Sequence, residues 1–245
     1  MSDTPETNNQ LVLISGKSGT GKSAALRNIR NQANWGYLIT EAGKRAPFQN
    51  KFQSFRITDP YEVWEAFDHF MDPAQNSEGL IVDSLTFLMD MFESIYVTGA
   101  KDGQKAWGDF AQFFKTLMQA KVPAYQHPVI ITAHTLDKLN EQAMEMETAV
   151  PIKGSLKNNG VEAYFSTVVA TKKLTLKDLA PYANPMLIIT EDDEMLGYKH
   201  VFQTRPTKTT TGERIRSPMG LFSREQTFMD NDAQLLLDHL KAFYG

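Results

Sequence analysis

The octapeptide Gly16-Lys17-Ser18-Gly19-Thr20-Gly21-Lys22-Ser23 constrains this chain more than any other stretch of its 245 residues. It fits the pattern G-x-x-x-x-G-K-[ST], which carries physical meaning only between a strand and a helix. Both flanks are present: Leu11–Ser15 is a short apolar run of the buried-strand kind, and the spacing predicts a helix over Ser23–Ala33. Glycines at 16, 19 and 21 let the backbone curl until successive N–H groups converge on one anion. A helix starting near Lys22 adds its free N–H groups and the positive end of its dipole. The Lys22 ammonium then reaches the outer phosphates of a polyphosphate, and the Ser23 hydroxyl offers a ligand to Mg2+. A chance Gly-rich turn would not come with both flanks, so the loop reads as a phosphate cradle.

The rest of the pattern supplies a fold for the loop. Strand runs at Trp35–Glu41, Gln53–Ile57, Gly79–Asp83 and Pro128–Ala133 alternate with helical spacing at Leu85–Tyr96 and Ala106–Ala120. Asp59-Pro60 starts a further helix, whose Trp64, Phe67, Phe70 and Met71 form a core stripe. Thr135–Val150 is polar and Met-rich, and reads as a projecting hairpin or loop within 135–160. Ser166–Thr171, Met186–Thr190 and Tyr198–Thr204 read as strands, with an acidic turn at Glu191–Glu194 and Asp230 or Asn231 capping a last helix. The expected fold is α/β, a mostly parallel central sheet flanked by helices with a more antiparallel last third. One domain is expected over residues 10–245, after a flexible stretch at 1–9. With 42% hydrophobic and 22% charged residues the chain is not disordered, and without cysteine it has no thiolate chemistry. Apolar runs such as Leu11–Ile14 are too short to cross a bilayer and Met1–Gln10 lacks the order of a secretion signal, so a cytoplasmic protein without a membrane partner is expected.

Three further positions could join the loop. Asp83 ends an apolar strand, where a carboxylate would hold Mg2+ through water. Glu41 ends another; it reads either as the base that deprotonates an attacking water or as a surface partner of Lys44 or Arg45. Thr132 and His134 end the next, where they would touch a terminal phosphate or simply be satisfied inside the core. Charge is segregated: residues 15–56 hold eight Lys/Arg against Glu41 alone, and 199–224 hold six against Glu213 alone. Between them residues 57–150 carry fifteen acids and five bases, so the two basic segments could fold into one anion-binding face.

With GKSGTGKS at 16–23, Glu41, LIVDS at 80–84, ITAH at 131–134, Pro151–Gly154 and Gln203-Thr204-Arg205-Pro206, the chain resembles the RecA-like P-loop ATPases. Within that class it is most similar to the phage single-strand-annealing (Sak-type) ATPases. The resemblance implies hydrolysis of ATP with Mg2+ in a homo-oligomeric ring or filament acting on single-stranded DNA, with a single-strand-binding protein as a further partner, in an infected bacterial cell. It casts Lys22, Glu41, Asp83 and His134 as catalytic. It also implies a basic finger reaching a neighbour's nucleotide, for which Lys208, Arg214 and Arg216 are candidates, Arg216 foremost. Loops after the His134 strand would meet DNA, with Lys153 and Lys157 as phosphate contacts, although Thr135–Glu147 is net acidic. Lys17 is similar instead to the ParA/MinD-like ATPases, dimeric switches that have a second glycine where this chain has Ser18. A nucleoside or nucleotide kinase, with Arg214 and Arg216 in a lid, is the remaining alternative.

Overall fold

Successive residues of a strand point to opposite faces, so a strand without a polar break must be covered on both sides. β1 (Leu11–Gly16), β4 (Gly79–Asp83) and β5 (Val129–His134) are such strands, buried along nearly their whole length in the computed structural model, which describes residues 7–141 and 144–245. β2 (Trp35–Ile39) and β3 (Gln53–Arg56) extend the sheet on one side. β8 (Thr167–Thr175), β9 (Tyr198–Gln203) and β10 (Phe228–Asp230) extend it on the other. Among the described residues the order is β10-β9-β8-β1-β5-β4-β2-β3. Every pairing from β3 through β8 is parallel, and β8–β9 and β9–β10 are antiparallel. The mostly parallel sheet with a more antiparallel last third is therefore what the chain forms.

Side-chain alternation divides the core into two layers. Leu13, Val82 and Ile131 face α1 (Glu62–Met71), α2 (Leu85–Phe92) and α3 (Gly103–Thr116), meeting Phe67, Phe70, Phe92, Phe110 and Phe114. Val12, Ile14, Ile81 and Ile130 face the other way, onto Ala25, Leu26 and Ile29 and onto Leu236, Leu237 and Leu240 of the C-terminal helix Ala233–Tyr244. Gly36 of β2 leaves no room for a side chain: a Cβ there would lie 2.5 Å from Phe70 of α1 and Leu80 of β4. No helix among the described residues is long and apolar enough to cross a membrane.

Four local expectations change. The helix expected over Ser23–Ala33 is a 3₁₀ turn at Ser23–Asn28 followed by another at Gln32–Asn34, with Asn31 left-handed between them. Tertiary partners take its polar groups: the Arg30 amide donates to Gln234 Oε1, Asn28 to Asp232, and Arg27 to the Asn231 carbonyl. Met186–Thr190 is not a strand, because the edge strand β10 gives it one backbone bond before the Asp230 carboxylate captures the Ile188 amide. The acidic turn is a short helix, Glu191–Leu196, started by a Thr190–Asp193 capping box. Asp232, not Asp230 or Asn231, caps the last helix, since residues 228–230 are spent on β10. Thr135–Val150 forms a hairpin, β6 (Leu136–Asn140) against β7 (Glu145–Ala149); residues 142–143 of the 135–160 stretch and residues 1–6 of the N-terminal stretch lie outside the described residues.

Candidate nucleotide site

The loop leaves the carboxyl end of β1 and is pinned from several sides. Thr20 Oγ1 donates to the Lys17 carbonyl at 2.7 Å and meets Thr171 Oγ1, while His200 Nδ1 donates to the Thr20 carbonyl at 3.0 Å. Asn231 Nδ2 donates to the Gly21 carbonyl at 2.9 Å. Gly21 has φ +105°, and a Cβ would lie 2.4 Å from that amide nitrogen, so glycine is required there twice over. Lys22 is buried, and its ammonium donates to the carbonyls of Gly16 and Lys17, both at 2.9 Å. Burial lowers its pKa to about 8, against the opposing pull of Asp83 and Glu41. Since only a short 3₁₀ turn follows the loop, the cradle's attraction for an anion rests on loop N–H groups and on cations rather than on a long helix dipole.

Asp83 ends β4 beneath the loop and accepts three hydroxyl hydrogens. Ser23 Oγ donates to its Oδ2 at 2.8 Å, Tyr37 Oη to the same oxygen at 2.7 Å, and Thr132 Oγ1 to Oδ1. The Ser23 hydroxyl and the Asp83 carboxylate thus stand together as sequence reasoning required. Among the described residues no cluster of three His, Cys, Asp or Glu would bind a metal by itself. A hydroxyl–carboxylate pair suits Mg2+, which keeps waters and takes phosphate oxygens to complete its shell. One residue on, Thr40 Oγ1 accepts from the Ser84 amide and donates to the Ser84 carbonyl, both at 2.7 Å, which locks β2 to the end of β4.

Glu41 follows directly and is buried. Its Oε1 lies 3.0 Å from His134 Nε2, and its Oε2 is held by Lys44. The other imidazole nitrogen, Nδ1, lies 3.4 Å from Lys22 Nζ. Because an ammonium can only donate, Nδ1 accepts and Nε2 carries the proton toward Glu41. A hydrogen-bonded line therefore runs from Lys22 through His134 to Glu41. Burial pushes the Glu41 carboxyl up, but the hydrogen bonds from Lys44 and His134 outweigh it and hold the pKa below the ordinary value. The carboxylate is charged at neutral pH and can accept a proton once Lys44 leaves it.

Loop, Glu41 and His134 border one cleft of about 630 Å³, a volume suited to a nucleotide. Both basic segments line it: Arg27, Lys44 and Arg45 from the first, Lys199 and His200 from the second. Within the cleft lining, Lys199 bridges Asp193 at 2.8 Å and Asp230 at 3.3 Å. Lys208, Arg214 and Arg216 lie outside the cleft. Lys208 is exposed, Arg214 is 3.4 Å from Glu162, and Arg216 bonds its backbone to Val168. Lys17 turns away from the phosphate position to Asp137 of β6, at 2.5 Å. Lys153 pairs with Glu93, and Lys157 is exposed on the turn Gly154–Asn158. Sequence reasoning missed Tyr37, Thr40, Thr171, His200 and Asn231. Only Tyr37 carried a signal: a phenol inside a buried strand needs a partner.

The AAA domain family matches residues 8–214, most of the chain. The chain belongs to the AAA domain family. The match takes in the loop, Glu41, Asp83 and His134, and stops short of β10 and the C-terminal helix. By family and by loop the protein is a P-loop ATPase, a class that binds nucleotide, typically with Mg2+. Among solved structures, a KaiC-like protein from the hyperthermophilic archaeon Pyrococcus horikoshii OT3 is similar, with 13% identity over 83% of this chain and 82% of that one and a TM-score of 0.44. No curated protein matches the chain.

Proposed function

We propose that this ATPase hydrolyses Mg·ATP while acting on single-stranded DNA, in annealing or strand exchange of the phage recombination kind, as an oligomer with nucleotide at subunit interfaces. The observation that carries the catalytic part is the convergence of four separate segments: Lys22 and Ser23, Glu41 and His134 border one cleft, and Asp83 accepts a hydrogen bond from Ser23 beside it. Ser23 and Asp83 would hold Mg2+, which when bound offsets charge on the outer phosphates. Lys22 exchanges the Gly16 and Lys17 carbonyls for phosphate oxygens. Lys44 follows the same charge and frees Glu41 Oε2 to take the proton of an attacking water. His134 keeps the other oxygen of Glu41 in place.

The DNA part rests on the sequence resemblance and on charge. A second, open groove of about 740 Å³ carries Arg205, Lys208 and Arg224 among Thr207, Thr209 and Thr210, chemistry that suits a sugar–phosphate backbone. Lys208 on that groove and the exposed Arg214 and Arg216 stay candidates for a finger toward a neighbouring subunit.

The deciding measurement is ATP hydrolysis at low salt without DNA, with single strands and with duplex, using Lys22→Ala as the blank. Stimulation by single strands that fades as salt rises is expected. Glu41→Gln should keep nucleotide binding and lose about 10²–10⁴-fold in turnover. Turnover indifferent to DNA would withdraw the recombination reading and leave the ATPase.

A further inference from the structure

We infer that Tyr37 is a positioning residue for the metal-site carboxylate, holding Asp83 Oδ2 in the orientation that magnesium-bound water requires. The inference rests on the reading of Asp83 as the magnesium acid. The geometry is specific. In the parallel sheet β4 runs between β5 and β2, with Val82 opposite Ile131 and Ile81 opposite Tyr37. Alternation puts Tyr37, Asp83 and Thr132 on one face, the face that carries the phosphate loop. Thr132 donates to Oδ1 from one neighbouring strand and Tyr37 donates to Oδ2 from the other, at 2.7 Å. The carboxylate is thus held at both oxygens, from both sides.

Ser23 also donates to Oδ2, but its hydroxyl is the one group of the three that would turn to a metal as a ligand. When it does, Tyr37 is the donor that remains on that oxygen. It is suited to stay. The residue is 3% exposed, its ring lies against Phe52 at 5.5 Å, and its backbone is in the middle of β2. Three positions further on, just past β2, Thr40 clamps the Ser84 peptide, so this segment fixes both the side chain of Asp83 and the backbone that follows it. A partner that orients a metal-site carboxylate sets metal affinity without touching the metal.

The test uses the full chain and Tyr37→Phe, which keeps the ring and removes only the hydroxyl. Mn2+ is titrated against protein with ATP and followed by electron paramagnetic resonance, and ATP affinity is measured separately in EDTA. Expected is a loss of about 10–100-fold in Mn2+ affinity with metal-free ATP affinity unchanged. A hydroxyl that merely satisfied the core would leave Mn2+ affinity unchanged, or weaken ATP binding equally with and without metal; either result overturns the inference. Asp83→Asn runs alongside. If it weakens Mn2+ binding while Tyr37→Phe does not, Tyr37 alone is wrongly assigned; if neither does, the magnesium reading of Asp83 falls with it.

Discussion

An ammonium stripped of water holds its proton less tightly than one in solvent, and Lys22 is in that state before any anion arrives. A bound polyphosphate favours the charged form, so its pKa rises on binding. Below about pH 8 the free protein already carries the charge and affinity is level; above it each binding event must also take up a proton. ATP affinity should therefore fall about tenfold per pH unit above pH 8, until the pKa of the bound state is reached. Calorimetric titration from pH 7 to 9.5 checks this, and a flat profile would mean that the ammonium is not what the phosphates meet. At this scale the residues of the loop were legible, because the motif names them one by one. Glu41 was legible only as an acid at a strand end. Its bonds to His134 and Lys44 come from segments that no local pattern joins.

At the scale of elements, the β6–β7 hairpin is tied to the phosphate loop by side chains. Asp137 accepts from Lys17 through Oδ2 and from Thr148 through Oδ1, and Thr148 exchanges backbone bonds with Gly212 and Arg214. Leu136, Leu139 and Met146 stay exposed along it, so little burial secures the hairpin. An exposed pair of this kind contributes about 0.2–1 kcal/mol. Asp137→Ala should thus raise hydrogen exchange of the β6 and β7 amides by no more than about fivefold, leaving β1 and β5 unchanged. The hairpin was legible as a polar interruption in the strand–helix alternation. Its link to Lys17 was not, since 120 residues separate the partners. The broken helix after the loop is the converse case: helical spacing was present over Ser23–Ala33, and contacts to the last helix overrode it.

For the whole molecule, the C-terminal helix acts as a brace. It covers one face of the sheet with Leu236, Leu237 and Leu240, and it and the two residues before it bind the segment behind the phosphate loop: Asn231 and Asp232 accept from Arg27 and Asn28, and Asp238 from Arg30. Leu236→Ala or Leu240→Ala, each at a fully buried position, should cost about 2–5 kcal/mol in urea unfolding. The same variants should weaken ATP binding, because the brace and the loop share that segment. A loss of stability with unchanged affinity would show that the loop holds its shape without the helix.

The sequence by itself determined what depends on neighbours along the chain: a phosphate cradle between strand and helix, strands covered on both faces, and acids at the ends of two of them. Period-two burial and loop chemistry are local, so they survive in one dimension. Tertiary structure alone decided how the site is wired. Ser23, Tyr37 and Thr132 reach Asp83 across 60, 46 and 49 residues, and Lys17 leaves the phosphate position for a hairpin. Those partnerships follow from strand order and register, which set the residues facing each other across the sheet, and no spacing within a single segment encodes them.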